Sequence, residues 1–227
     1  MNKLLESNKM ESIPPVIVRP YKASDRPFVR DIACQTAFWG ENRALIFDDD
    51  ELLADVLTAY FTDYEPESCF VAECAGRVVG YVMGTRDNRK VSQRMNAQII
   101  PGLLIKAFWR GVFFRSTNWR LAVHAFKSWI KNEFAVPGFG REYPALLHIN
   151  LDKAYRRNHI GQKLMTQYLT YLRQSGVAAV HLATMSESAK NFFLKHGFRV
   201  LWSRRRTYLH YALGADFIAY IMGMTLS

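Results

Sequence analysis

The sequence predicts an α/β chain in which strands alternate with helices and one basic, helical segment interrupts them. Three observations carry that expectation. Apolar runs of strand length alternate along the chain with runs of helical period. Residues 145–172 pass from an apolar strand through a charged loop into an amphipathic helix bearing Leu164, Met165, Tyr168, Leu169 and Leu172. The third is charge: the net is +10, and residues 86–141 hold 11 Lys and Arg against 2 Asp and Glu, so the remainder is near neutral.

With 227 residues and 49% hydrophobic content, the chain can bury one sizeable core, and a single domain over 1–227 is the expectation. Residues 1–15 read as a flexible leader ended by Pro14 and Pro15, with no apolar stretch of signal-peptide length. Residues 16–19 form a first strand stopped by Pro20. Ser24 or Asp25 offers an N-cap for a helix starting near Pro27, with Phe28, Ile32, Ala33 and Thr36 on one face. A loop, 38–47, leads to Asp48, Asp49, Asp50 and Glu51 and a second helix. Carboxylates there suit the helix dipole, at about 0.3–1 kcal/mol each. Residues 68–74 and 78–85 are strands joined by a hairpin at Ala75, Gly76 and Arg77. Gly80 and Gly84 in the second signal a bulge or a close approach.

The basic insertion, 87–141, carries helical spacing over Pro101–Phe114 (Leu104, Ala107, Phe108) and over Asn118–Phe134. In the latter, Leu121, Ala122, Ala125, Phe126, Trp129 and Ile130 form one stripe, with Arg120, Lys127, Lys131 and Asn132 mostly opposite. The leading reading packs both helices on the domain and leaves a solvated basic face. A lid over an acceptor site, a pair of helices on anionic membrane and nonspecific nucleic-acid contact are the alternatives; no nucleic-acid motif accompanies the charge, so no specific nucleic-acid partner is expected. Further on, Gly176 ends the helix that follows the charged loop, 177–184 is a strand, and Ser186 or Glu187 starts a short helix through Lys195. Residues 198–203 and 216–226 are strands, with Arg204, Arg205 and Arg206 as a solvated rim between them.

Cys34, Cys69 and Cys74 are odd in number and lack metal-type spacing, which suits reduced, half-buried thiols in a cytoplasmic protein. No run approaches about 18 apolar residues, so a soluble or at most peripheral chain is expected. No cluster of metal-ligating residues points to a metal.

The chemistry concentrates where the strand meets the helix. Free N–H groups at a helix N-terminus, the dipole behind them and Arg156 and Arg157 beside them make an anion site, and Gly161 permits close backbone approach. Arg156, His159 and Gly161 occupy the first, fourth and sixth places of a motif similar to the Arg/Gln-x-x-Gly-x-Gly/Ala signature of the GNAT superfamily of acetyl-CoA-dependent acyltransferases. Tyr155 before it and Ile160, Lys163 and Leu164 after it also match. Ala189, Phe192, Phe193, Lys195, Gly197 and Phe198 resemble the family's second block, A-x-x-F-Y-x-K-x-G-F.

That resemblance implies a mixed, mostly antiparallel central sheet flanked by helices, and an N-acetyltransferase. Such an enzyme uses acetyl-CoA as co-substrate, without a metal, in direct attack by an amine on the thioester. It implies that Arg156, Arg157, Asn158, His159, Ile160, Gly161 and Gln162 wrap the coenzyme A pyrophosphate. The strand residues Ile149 and Leu151 would run along the pantetheine arm, with the Leu151 N–H polarising the carbonyl, and Ser186 and Phe192 would complete the coenzyme contacts. His159 stands where most members have Gly, which matters if φ is positive there. Phe193 stands where many have the Tyr that protonates the thiolate, so that acid is absent and Tyr155 is an alternative hydroxyl. His148, on the strand beside the thioester, is the first candidate for general base; Asp152 and Glu73 are weaker, and His181 lies on the adjacent strand. Glu41 or Asp48 borders the acceptor site and would meet a cationic amine. The acceptor is a small-molecule amine or peptide, and a homodimer is open. A noncatalytic acyl-CoA-binding module and a membrane-peripheral GNAT-like protein are the rival readings.

Overall fold

The computed structural model describes residues 15–40, 43–156 and 158–226, so Glu41, Arg157 and most of the leader lie outside the described residues. Strand β1 (Val16–Pro20) leads into α1 (Arg26–Thr36). Asp25 precedes α1, but its carboxylate turns back to accept from Arg19 and from the Lys22 N–H, fixing the turn rather than capping the helix. Val29, Ile32 and Ala33 of α1 are buried; Phe28, expected on that face, is exposed. After the short α2 (Arg43–Ile46), α3 (Asp50–Tyr64) starts on Asp49, whose side chain accepts from the Leu52 N–H at 3.0 Å. Part of the acidic run is therefore a helix cap.

Strands β2 (Cys69–Cys74) and β3 (Arg77–Thr85) form the hairpin, with a register slip between Ala72 and Glu73. A Cβ on Gly80 would lie 2.2 Å from the Leu151 side chain, and one on Gly84 2.0 Å from the Leu146 carbonyl oxygen. Both positions are glycine because the next strand lies too close for a side chain.

Helix α4 (Asn88–Arg94) continues through a π turn, Met95–Ile99, into α5 (Ile100–Trp109). The helix thus begins well before the Pro101 start that spacing suggested, at Asp87, whose side chain accepts from the Arg89 N–H. Pro101 has no N–H to give the helix, and the Ile100 N–H just before it reaches Met95, one residue further back than an α-helix allows. Helix α6 (Ser116–Ile130) ends before the expected Phe134, and Asn132 just beyond it takes a left-handed φ of 57°.

Strand β4 (Ala145–Leu151), α7 (Ile160–Gln174), β5 (Ala179–Thr184), α8 (Glu187–Lys195), β6 (Arg199–Arg206), α9 (His210–Leu213) and β7 (Phe217–Thr225) complete the described chain. The strand order is β1-β2-β3-β4-β5-β7-β6, and only β4 and β5 run parallel. The sheet is mixed and mostly antiparallel, flanked by helices, as the resemblance implied.

Both faces of the sheet are covered. On one, Leu164, Tyr168 and Leu172 of α7 pack on Val82, Leu147, Val180 and Met222. On the other, Val29 and Ile32 of α1 and Tyr60 and Phe61 of α3 pack on Val71, Tyr81 and Met83. Double coverage explains why β3 reads as an apolar run without alternation. Cys74 faces the first core and Cys69 the second; Cys34, Cys69 and Cys74 form no disulfide among the described residues and are all buried, deeper than expected.

Two further expectations are corrected. Strand β6 runs on through the arginine triplet, and Arg206 is 6% exposed rather than on a solvated rim. Its guanidinium lies 5.4 Å from the ring centres of both Trp202 and Phe134, and these faces replace water around the cation. On α6, Phe126, Trp129 and Ile130 are 60–65% exposed, while Asn118 and Ser128 are buried. The apolar stripe looks outward. Among the described residues, no helix is long and apolar enough to cross a membrane.

Candidate active site

Strand β4 pairs with β3 along its length, from Leu146 opposite Thr85 to Leu151 opposite Gly80. It pairs with β5 only at Ala145 and Leu146, opposite Val180 and His181. Beyond that point the two parallel strands separate, leaving a wedge between the second half of β4 and the end of β5. The Asp152 N–H bonds to the Val79 carbonyl at 2.9 Å, so by alternation the main-chain groups of Asn150 and His148 also face β3. Those of Ile149 and Leu151 then face the wedge. They are donors and acceptors without a strand partner, in a position that calls for a ligand. Tyr168 of α7 donates to the Leu146 carbonyl at 2.8 Å and so pins the helix to the strand where the separation starts.

At the wide end of the wedge the chain turns. Asp152 accepts from the Ala154 N–H at 3.0 Å, shaping the 3₁₀ turn of Lys153–Tyr155. Asn158 donates to the Tyr155 and Arg156 carbonyls. His159 then takes φ 57°, ψ 8°, directly before α7. The left-handed residue turns the chain so that the first N–H groups of α7, at Ile160, Gly161 and Gln162, emerge beside the strand end. Among the described residues, no side chain caps that helix. A Cβ on Gly161 would come no nearer than 3.4 Å to Leu151 and 3.5 Å to Phe192. The protein's own packing therefore leaves room for a side chain at Gly161, and a ligand lying on this backbone would need that room. These features fit a diphosphate. Arg156 is exposed at the turn. With Lys153 it forms one wall of a cleft of about 380 Å³ whose other wall is Gln35, Thr36, Trp39 and Arg43.

The loop between α1 and α2 is strained. Phe38 and Trp39 have φ of 49° and 64°, values that large side chains rarely adopt. Trp39 meets the Phe217 ring edge-on at 5.2 Å, linking this loop to the start of β7. The sequence offered no signal for this bridge.

His148 points to the sheet face carrying α1 and α3, with its ring 5.4 Å from that of Phe61. Burial, with a smaller contribution from His181, lowers its imidazole to about 4. His181 is buried on the same face and its Nδ1 lies 2.7 Å from the Tyr143 carbonyl. Burial lowers its pKa, and bonds to the Tyr143 and Ala145 backbone oppose that. Both rings are neutral at physiological pH. Tyr155 is half-buried and packs against the core under α7. Phe193 is buried in that core, edge-on to Phe198, whereas Phe192 is only partly covered. Ser186 caps α8, accepting from the Ala189 N–H at 3.3 Å. Glu73 pairs with Arg19 and Asp152 with Arg77, so neither is a free carboxylate. Asp48 is exposed, its main chain bound to Asn118 and Arg115 of the insertion. Asp49 pairs with Arg110 at 2.8 Å. Burial works against its charge, but Arg110 and the Leu52 N–H outweigh that and hold the carboxyl below its ordinary range.

Residues 122–198 match the model of the acetyltransferase (GNAT) family, a span that includes β4, the turn, α7 and α8. Among solved structures the chain is similar to SsHAT, at 27% identity and TM-score 0.69, covering 94% of this chain and 100% of that one. It is also similar to a polyamine N-acetyltransferase from Drosophila melanogaster that catalyses formation of N-acetylagmatine (15% identity, TM-score 0.57, 93% and 100% covered). A third is YncA from Salmonella typhimurium, solved with its cofactor acetyl-CoA (14%, TM-score 0.53, 93% and 94%). At these identities the last two speak for the fold alone. The separated parallel strands and the left-handed turn into α7 agree with the comparisons: residues 122–198 match the GNAT acetyltransferase family, and the sheet around them has the GNAT fold.

Proposed function

We propose that the protein transfers an acetyl group from acetyl-CoA to an amine, and that the wedge between β4 and β5 is where the coenzyme's arm lies. The observation that carries this reading is the unpaired edge of β4 running straight into an uncapped helix N-terminus. Bound there, acetyl-CoA supplies an activated acyl group as a thioester. The free N–H groups of α7 and the Arg156 guanidinium hold the diphosphate through charge-assisted bonds. The Ile149 and Leu151 main chain takes the pantetheine as an extra strand would be taken, and the Leu151 N–H polarises the thioester carbonyl. One such preorganised donor is worth about 2.7–4 kcal/mol.

His148 accepts the amine's proton. It is neutral across the physiological range and needs no prior deprotonation. Phe193 has no proton to give, so the departing thiolate takes one from Tyr155 or from water. The strained loop at Phe38 and Trp39 borders the acceptor, with Glu41 and Asp48 as the carboxylates that would meet a cationic amine. Isothermal titration with acetyl-CoA, followed by thiol release across a panel of small amines and peptide N-termini, tests the reading. Tight binding with no acceptor ever accelerating release would favour a noncatalytic acyl-CoA-binding module, the second reading that Phe193 supports.

A further inference from the structure

We infer that the insertion docks the protein onto a bilayer surface rich in anionic lipid. This inference is independent of acetyl transfer. Of the 22 large apolar side chains exposed in the described chain, 13 fall within residues 100–136. Solitary exposed apolar residues are ordinary, whereas such a concentration marks a surface that is covered in use. Trp109 and Phe114 are 80% and 83% exposed at the turn between α5 and α6. On α6, Trp119, Phe126, Trp129 and Ile130 follow one stripe, at i, i+7, i+10 and i+11, and all are at least 60% exposed.

Charge identifies the occupant. Arg120, Lys127 and Lys131 sit one position beyond Trp119, Phe126 and Ile130, so an exposed cationic flank runs beside the apolar stripe. Helix α6 contains no acid. The only two acids of residues 86–141 are used internally. Asp87 caps α4, and Glu133, 7% exposed, accepts from the Thr207 N–H and hydroxyl at 2.8 Å each. Two ion pairs tie the insertion's inner side to α3 and its cap: Lys106 to Asp55 at 2.7 Å and Arg110 to Asp49 at 2.8 Å. The inner side is thus anchored by ion pairs, and the outer side presents aromatic rings rimmed by cations. A second copy of this face would set cation against cation. An anionic lipid surface satisfies both parts, since the rings enter the headgroup boundary and the cations meet phosphate.

The test is co-sedimentation of the full chain with phosphatidylcholine vesicles, with and without phosphatidylglycerol, alongside tryptophan emission. The inference expects pelleting with the anionic vesicles only, a blue shift on binding, and release by salt. Trp119→Ser with Trp129→Ser should abolish the shift and the pelleting. Lys127→Glu with Lys131→Glu should weaken partitioning by roughly thirtyfold. All four positions are exposed, so circular dichroism and acetyl-CoA binding should match the parent. Unchanged partitioning in either variant, or equal pelleting with neutral vesicles, would overturn the inference. So would a dimer in solution that the tryptophan pair of substitutions converts to monomer, because the surface would then belong to a second copy.

Discussion

The corner around α7 and the basic insertion are written in the same amphipathic code and come out opposite. On α7, Leu164, Met165, Tyr168, Leu169 and Leu172 share a face, and all are buried. On α6, Phe126, Trp129 and Ile130 share a face just as regularly, and all are exposed. Periodicity states which residues lie together, but the partner they lie against is a non-local fact. Helix α7 has a sheet beneath it. Helix α6 rests on small and polar residues such as Ala125 and Ser128, and keeps its rings for outside.

The largest expected effect compares the two directly. Leu164→Ala, at a fully buried position, should cost about 2–5 kcal/mol in chemical denaturation, whereas Leu104→Ala on the outer side of α5, 54% exposed, should stay within about 0.5 kcal/mol. Equal costs would mean that the outer side of the insertion, and not only its inner side, is packed against protein.

A second effect belongs to the corner alone. The folded protein holds His148 at about 4 against an ordinary value of 6.5, so between these the unfolded chain binds more protons. Stability is then complete above about pH 6.5 and is lost as pH falls, by roughly 3 kcal/mol once pH passes below 4. His181, lowered too, acts with the same sign. In His148→Gln the slope of stability against pH should be shallower over that window. The same displacement predicts that the acid limb of the rate profile lies near the lowered value rather than near 6.5.

Next in size, Arg156→Ala should weaken acetyl-CoA binding on the order of 10–100-fold by titration, since a hydrogen bond from a charged group contributes about 1.5–3 kcal/mol. The smallest effect is at the turn. His159→Gly relieves a left-handed side chain and should stabilise the fold by up to about 1 kcal/mol while leaving coenzyme affinity unchanged. A loss of affinity would mean that the imidazole touches the ligand.

How legible the two regions were follows from the same contrast. The strand, turn and helix at 145–174 were readable because alternation, an arginine and a glycine act locally, and the resemblance named the residue whose φ proved positive. The separation of β4 from β5 was not readable, because it depends on which residues fail to pair across more than thirty positions of chain. Tyr168, which pins that point, reads in sequence as one more apolar residue of α7. The start of α4 does carry a local signal, the capping Asp87. The buried Arg206 carried none: Trp202 lies on its own strand, but the second ring, Phe134, comes from the insertion some seventy residues earlier.

The central claim is that the uncapped start of α7, with Arg156, holds a diphosphate. Titrating the protein with acetyl-CoA and, separately, with acetyl-pantetheine, which lacks the diphosphate, measures that hold directly. The account predicts that acetyl-CoA binds at least about a hundredfold more tightly, and that Arg156→Ala removes part of this margin while leaving acetyl-pantetheine affinity unchanged. Equal affinity for the two ligands would contradict it.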